Sequence, residues 1–585
     1  MTITWQGKHV RSSTRNLGIL ALFYPLLERM NVRRIIDAHV PKDSRAEFSC
    51  GDVLSLLIAA RLCHPSALVH VPEWAEESAA DVLFGIPPEK LNDDRLGRAL
   101  DRFFPVRHAV LANVALHVAQ EFDVPLEHIH YDPTHVLFAG EYESAAERPS
   151  PINDDGTARS DDQLSPAHIT KGRATDDAPL GALMVHVGLA TLVDQYGPLP
   201  IFGHTIDGNQ NGRTGIHEFF CLFCKHLKPP THTKLRWYSD RGTMSVGHLL
   251  RLRSAKFHGT CSAPWGEFQP IFVEHRKKLS WRTADYLSIE QRRRRDEKSS
   301  LPQEHYELAS IDHELVDDES RQTLSCRLIF VFSTADQKVA RKQRGKQIDS
   351  CRTQLEKIRK TVAENRNKHA EPEAVGKRLN RVLSDYKGSR YFETKLLPLT
   401  AAEGKKLGKP AAGCRRPTHR FEFQLLDDQV ASDESYDGYS VLVTTVPSNQ
   451  ASIDTIFAEF KNQNYCEHVN AQFKGPVAVR PVYLKSPQRV ESLIMLLMIA
   501  LTAYFLIQRT YRHLAPKNAP WAERRKTTRT ILRTFASYSL IINKHQLGQE
   551  VCTTELRPRQ LALLRALEFP TPNELLKKIL PPIPN

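Results

Sequence analysis

Leu235-Arg-Trp-Tyr-Ser-Asp-Arg-Gly242 is a strand that ends on an acid: Leu235–Ser239 reads as β, and Asp240 opens the turn after it. A second strand-like run, Leu126–Tyr131, delivers Asp132 in the same way. Between them lie two more strands, Ala182–Val193 and Leu199–Ile206, joined by the hairpin-turn residues Asp194-Gln-Tyr-Gly-Pro198. Helices are expected over Gly215–Leu227 and Val246–Ser254, and a fifth strand over Lys256–Cys261.

The order strand–strand–strand–helix–strand–helix–strand predicts an α/β protein. Its core is expected to be ribonuclease-H-like, a mixed five-stranded sheet with helices. Working outward, residues 1–125 read as a helical N-terminal domain, able to bind DNA or to serve as a packing or dimerisation element. The core would occupy 126–261. A polar stretch within it, Glu141–Asp177, reads as a mobile surface loop. Residues 262–450 would be a β-rich insertion, with strands at Arg327–Phe332 and Tyr439–Thr445 and a charged, solvated helical hairpin over 338–389. The core would resume at 451–510. A basic helical tail, 511–585, closes the chain, its densest positive patch being Arg524-Arg-Lys-Thr-Thr-Arg529.

Lys and Arg number 80 against 67 Asp and Glu, a net charge of +13 that favours a polyanionic partner. Ten scattered cysteines point to a reduced protein without a disulfide framework. Cys221 and Cys224, flanked by His217 and His226, form a lone C-x-x-C on an apolar helix; buried thiols are favoured over zinc, which would want a second pair. The longest apolar run, Leu493–Ile507, is short for a membrane span and reads as a core helix. With no signal-like N-terminus, a cytoplasmic, nucleoid-associated protein with no membrane role is expected.

Ile453–Lys474 reads as one long helix. At about 100° per residue, Phe460, Gln463, Glu467 and Lys474 fall on one stripe of it. Two strand-end aspartates and one helical glutamate can build a carboxylate cage for two divalent cations. Such a cage activates water or a 3′-hydroxyl against a phosphodiester. Glu459 is the rival acid, off the stripe.

The segment Lys461-Asn-Gln-Asn-Tyr-Cys-Glu-His-Val-Asn-Ala-Gln-Phe-Lys474, followed by Arg480-Pro-Val-Tyr-Leu-Lys-Ser-Pro-Gln-Arg489, resembles the C-terminal signature of bacterial insertion-sequence transposases of the DDE type. It is most similar to the subgroup whose signature is Tyr, Arg, Glu and Lys, the IS-four-like group. Glu467 and Lys474 match that signature; Phe460 stands for Tyr and Gln463 for Arg. Asp132 in Tyr-Asp-Pro-Thr and Asp240 in Ser-Asp-Arg-Gly resemble the two catalytic aspartates. Asp437-Gly-Tyr-Ser-Val-Leu442 resembles the last strand of the family's insertion, and Lys90–Leu100 its N-terminal helical region. The losses at 460 and 463 remove a hydroxyl and a bidentate phosphate fork. Pro133 is expected to force a bulge or an early strand end.

The resemblance implies a two-metal endonuclease and polynucleotidyl transferase. Asp132, Asp240 and Glu467 would be both catalytic residues and ligands of Mg2+, with Mn2+ as a substitute. Lys474, Gln463, Phe460, Arg241 and Arg480 are the expected DNA or phosphate contacts, Arg241 being equally suited to a structural ion pair. The implied partners are double-stranded DNA, as transposon inverted repeats and target, and a second copy of the chain in a homodimer on DNA. Cut-and-paste transposition, with hairpin ends as one route, is the expected activity. A nuclease without strand transfer, a catalytically silent DNA-binding derivative and a protein-binding scaffold are the alternatives.

Overall fold

The computed structural model describes the chain except for residues 1, 6–7, 140–141, 143–148, 154–155, 161–162, 173–181, 229–234, 301–303, 366–369, 401, 404–409, 411, 476–483, 546–547 and 580–585. It is a mixed α/β protein organised on one large mixed sheet.

The expected strands and helices form close to where the residue pattern puts them. They are β1 (His128–Phe138), β2 (Leu183–Asp194), β3 (Gly197–Asp207), α1 (Gly212–Leu227), β4 (Arg236–Ser239), α2 (Val246–Ser254) and β5 (His258–Ala263). Their spatial order is β3-β2-β1-β4-β5. β1, β4 and β5 run parallel, while β2 is antiparallel to both its neighbours. Pro133 neither bulges β1 nor ends it, contrary to expectation: the register with β2 continues through Pro133↔Gly188 to Phe138. The ladder to β4 stops earlier, at Tyr131↔Ser239, so the proline has no ladder to interrupt on that edge.

The sheet does not stop at five strands. The insertion contributes β6 (Tyr306–Val316), β7 (Thr323–Ser333) and β8 (Tyr439–Thr444), which continue it as β5-β8-β7-β6. With two-residue strands at Thr170–Lys171 and Arg282–Thr283 it reaches ten strands among the described residues. Between β7 and β8 stand α3 (Thr334–Glu364), the helix Pro372–Asp385 and a two-stranded sheet, Phe392–Pro398 with His419–Leu425. This hairpin is not wholly solvated. Ile348, Cys351, Leu355, Ile358 and Val362 repeat along α3 at alternating steps of three and four, and pack with Val375, Val382, Phe392 and Phe421 into a separate small core.

Residues 1–125 are not all helical, nor is the tail. Thr2–Trp5 and Lys8–Arg15 pair with Leu540–His545 and Gly548–Thr553 in a four-stranded antiparallel sheet that joins the two ends of the chain. Part of the expected loop 141–177 is also packed: Leu164, Ala167 and Ile169 are buried.

The expected helix Ile453–Lys474 is two helices, α4 (Ile453–Lys461) and α5 (Asn464–Lys474). At the junction the backbone tightens to i→i−3 bonds, Gln463 N–H to Phe460 O and Cys466 N–H to Gln463 O, both 2.9 Å. This over-rotates the chain and breaks the single stripe. α6 (Pro487–Leu514) is capped by the Ser486 side chain and has Pro487 at its first position. Its apolar window is wholly buried, between β3 and the N-terminal helices Cys50–Cys63, Asp93–Phe103 and Arg107–Glu121.

Candidate active site

Strand register brings the two aspartates level. Tyr131↔Ser239 is the last pair of the parallel β1–β4 ladder, so the next residue on each chain is an acid, Asp132 and Asp240, on strands about 4.8 Å apart. The Asp240 carboxylate also caps the following turn, accepting from Gly242 N–H at 3.1 Å. Arg241, which opens that turn, is exposed.

α5 packs on β1 and β3 and brings in the third acid. Glu467 lies in its first turn, where the helix dipole favours a carboxylate. One turn on, Asn470 Nδ2 donates to Asp132 Oδ2 at 2.7 Å. The field at Asp132 registers all these neighbours. Burial pushes its carboxyl up to about 7, and the charges of Asp240 and Glu467 push the same way. The Asn470 hydrogen bond and the Lys474 ammonium oppose them. Acids separated by 108 and 227 positions in the chain therefore share one electrostatic site.

Gln463 and Phe460 do not face this site as the stripe required. The Gln463 amide is used within the protein: Nε2 donates to Tyr131 O at 2.9 Å, and Oε1 lies 2.9 Å from His130 Nδ1 and accepts its proton. It clasps α5 to β1 directly before Asp132. His130 is held neutral, its pKa lowered to about 4 by burial, and stacks on Tyr238 with ring centroids 4.8 Å apart. Phe460 packs instead against the insertion's core beside Ile456 and Phe457. Both side chains are half-buried and spend these groups on contacts within the protein. Arg480 lies outside the described residues.

Glu459, the rival acid, is committed elsewhere. Arg236 Nη1 reaches its two oxygens at 2.5 and 2.6 Å, Tyr238 Oη donates to it, and His128 Nε2 stands 3.5 Å away. The basic cluster at 524–526 is likewise engaged: Arg524 with Asp296, Lys526 with Glu523 and Tyr511, and Arg525 with Gln195 O and the Tyr465 hydroxyl of α5. The tail thus braces the helix that carries Glu467. Cys221 lies 3.7 Å from His217 Nδ1, and burial pushes the Cys224 thiol up to about 12.

Among the described residues no group of three or more His, Cys, Asp or Glu side chains is drawn together closely enough to hold a metal ion as it stands. The three acids share a field rather than a coordination sphere. Their chemistry suits a hard divalent cation nonetheless: all donors are carboxylate oxygens, and Asp132 is driven towards its protonated form first by burial and then by neighbouring negative charge, which a cation would neutralise.

Asn470 is the residue that the sequence reading missed. It lies three residues after Glu467 and four before Lys474, on their face of the helix, and that spacing was the available signal. A family model described as a domain of unknown function (DUF4277) matches residues 12–116, and the domain is one found in transposase-like proteins. The match covers N-terminal helices and none of the three acids. No curated protein matches the chain.

Proposed function

We propose that the chain is a DDE-type DNA transposase with a ribonuclease-H-like core, which cuts DNA at transposon inverted repeats and joins the ends to target DNA. The observation that carries this reading is the register that brings Asp132 and Asp240 level on adjacent parallel strands, with the Glu467 helix bonded to Asp132 through Asn470. The strand order β3-β2-β1-β4-β5, with only β2 antiparallel, supports the core assignment. The basic charge of +13 supports an anionic polymer as substrate, and the match to a domain found in transposase-like proteins points the same way.

In this reading Asp132, Asp240 and Glu467 hold Mg2+ or Mn2+. Divalent cations bound there supply Lewis acidity for an attacking water or 3′-hydroxyl and for the leaving 3′-oxygen. Asn470 orients the Asp132 carboxylate and favours its ionised form. Lys474 supplies positive charge beside the scissile phosphate. Gln463 acts through position alone, holding α5 in register with β1. Both DNA ends would be held by a homodimer.

A supercoiled donor plasmid with Mg2+ tests the reading. Wild type should nick or excise, and Asp132→Ala, Asp240→Ala and Glu467→Ala should each abolish cutting. Equal cutting by the three variants, or cutting undiminished by EDTA, refutes it. A silent DNA-binding derivative is the second reading, favoured by the spacing of the three acids, which among the described residues form no ready-made metal cluster. It predicts binding without cleavage, indifferent to the three substitutions.

A further inference from the structure

α3 leaves the sheet where β7 ends, at Ser333. β7 and β5 are both antiparallel to β8, so β7 runs parallel to β1 and β4. α3 therefore starts on the sheet edge that carries Asp132 and Asp240, three strands and about 14 Å from β4. Its first turn also lies near the Glu467 helix pair, since Asp336 is within electrostatic reach of Lys461 at the end of α4.

Between Asp336 and Asp349 this helix carries five cations and no acid. Arg344 is buried against Asp437, 2.9 Å away, and Arg341 stands 3.8 Å from the same carboxylate. The other three, Lys338, Lys342 and Lys346, are exposed, and none makes an ion pair among the described residues. Spaced i, i+4, i+8, they form a stripe about 80° wide, with about 6 Å of axial rise between neighbours. Like charges at i, i+4 weaken a helix, so the stripe does nothing for stability. Later turns of α3 follow the opposite rule and pair their charges, Arg359 with Glu356 at 2.6 Å and Lys360 with Glu364 at 3.8 Å. The surface around the lysines is open: a Cβ on Gly345 would meet nothing within 4 Å.

We propose that Lys338, Lys342 and Lys346 form a rail for the phosphates of double-stranded DNA, holding a duplex that runs from the carboxylate site across the start of α3. The proposal rests on the transposase reading for the identity of the polyanion. The acid-free stretch, the lysine spacing and the shared sheet edge carry the rest.

The test is fluorescence anisotropy of the full chain with a labelled random-sequence duplex, in EDTA, as salt is raised. Each phosphate contact contributes about 0.9 to the slope of log affinity against log salt, so replacing all three lysines by Gln should lower that slope by about 2.7. Over a fourfold rise in salt, wild type should then lose about 40-fold more affinity than the variant. The triple Arg variant should keep the wild-type slope. If the triple Gln variant does not fold, the single variants Lys338→Gln, Lys342→Gln and Lys346→Gln should each remove about 0.9. An unchanged slope overturns the rail, including the case where the stripe serves a protein partner. It leaves the transposase reading intact if the plasmid assay still depends on Asp132. A wild type that binds no duplex overturns both.

Discussion

Asn470 and Asp132, 338 positions apart, are joined by a 2.7 Å hydrogen bond that ties the helix of the third acid to the strand of the first. The amide favours the ionised carboxylate against burial and two neighbouring negative charges. Asn470→Ala should therefore raise the Asp132 pKa further. A hydrogen bond to a charged group is worth about 1.5–3 kcal/mol, or about one to two pH units. Because a divalent cation needs the deprotonated ligand, the midpoint for Mg2+ binding should move up in pH by that amount. Calorimetric Mg2+ titrations at several pH values check this; an unmoved midpoint means that Asn470 does not set the Asp132 charge.

The same carboxyl makes metal-free stability depend on pH. Its folded pKa, about 7, is raised above the 3.8 of an ordinary aspartate, so the folded state holds the proton more tightly than the unfolded chain does. The stability this contributes is fully present below about pH 4 and is lost as pH rises through about 7. The full excursion is at most about 4 kcal/mol. In EDTA, Asp132→Asn should flatten the dependence and melt higher than wild type above neutral pH. Mg2+ should raise the wild-type Tm there and leave the variant unmoved. Matching melting curves with and without EDTA, in both proteins, would separate Asp132 from any cation.

The strands that end at Asp132 and Asp240, and the helix Val246–Ser254, are written in local apolar and aromatic runs. The break at Asn462–Gln463 has no Pro or Gly to announce it. It coincides with a bond from Gln463 to Tyr131, a partner 332 positions away. The pairing of Lys8–Arg15 with Leu540–His545 is equally non-local, and neither segment has a long apolar run. β6–β8 were visible in part as strands, but nothing local says that they extend the core sheet. Glu467 is legible from its spacing; Asn470 shares that spacing, but its role depends on Asp132, a partner 338 positions away.

Gln463 stands where the resembled family has Arg, and its surroundings do not suit that residue. An Arg could donate to Tyr131 O but could not accept from His130 Nδ1, and it would bring a charge beside a buried ring. Gln463→Arg should destabilise the protein by about 1–3 kcal/mol and should not strengthen DNA binding. Gln463→Leu, which leaves the His130 donor and the Tyr131 carbonyl unpaired, should be at least as harmful. Melting temperature and duplex affinity, measured side by side, decide the point. Tighter DNA binding by the Arg variant would restore the phosphate role to position 463.

Arg107 and Glu491 form a buried ion pair, Nε to Oε1 at 2.7 Å, with side chains 0% and 2% exposed. The second oxygen of Glu491 accepts from Ala167 N–H at 2.7 Å. One carboxylate thus links an N-terminal helix, α6 and the segment before β2. Glu491→Ala leaves the Arg107 charge buried without this counter-ion, which typically costs about 3–5 kcal/mol. Replacing both residues together, Arg107→Met with Glu491→Leu, removes the stranded charge as well as the bond. That double variant should melt above the single one, since apolar residues can fill the space of a buried pair at little net cost. If the link matters this much, a chain lacking residues 1–125 would expose the N-terminal face of α6 and should aggregate rather than fold as an isolated core. A soluble, cooperatively melting 126–585 fragment, or a Glu491→Ala variant with wild-type Tm, would show that the head is a detachable module.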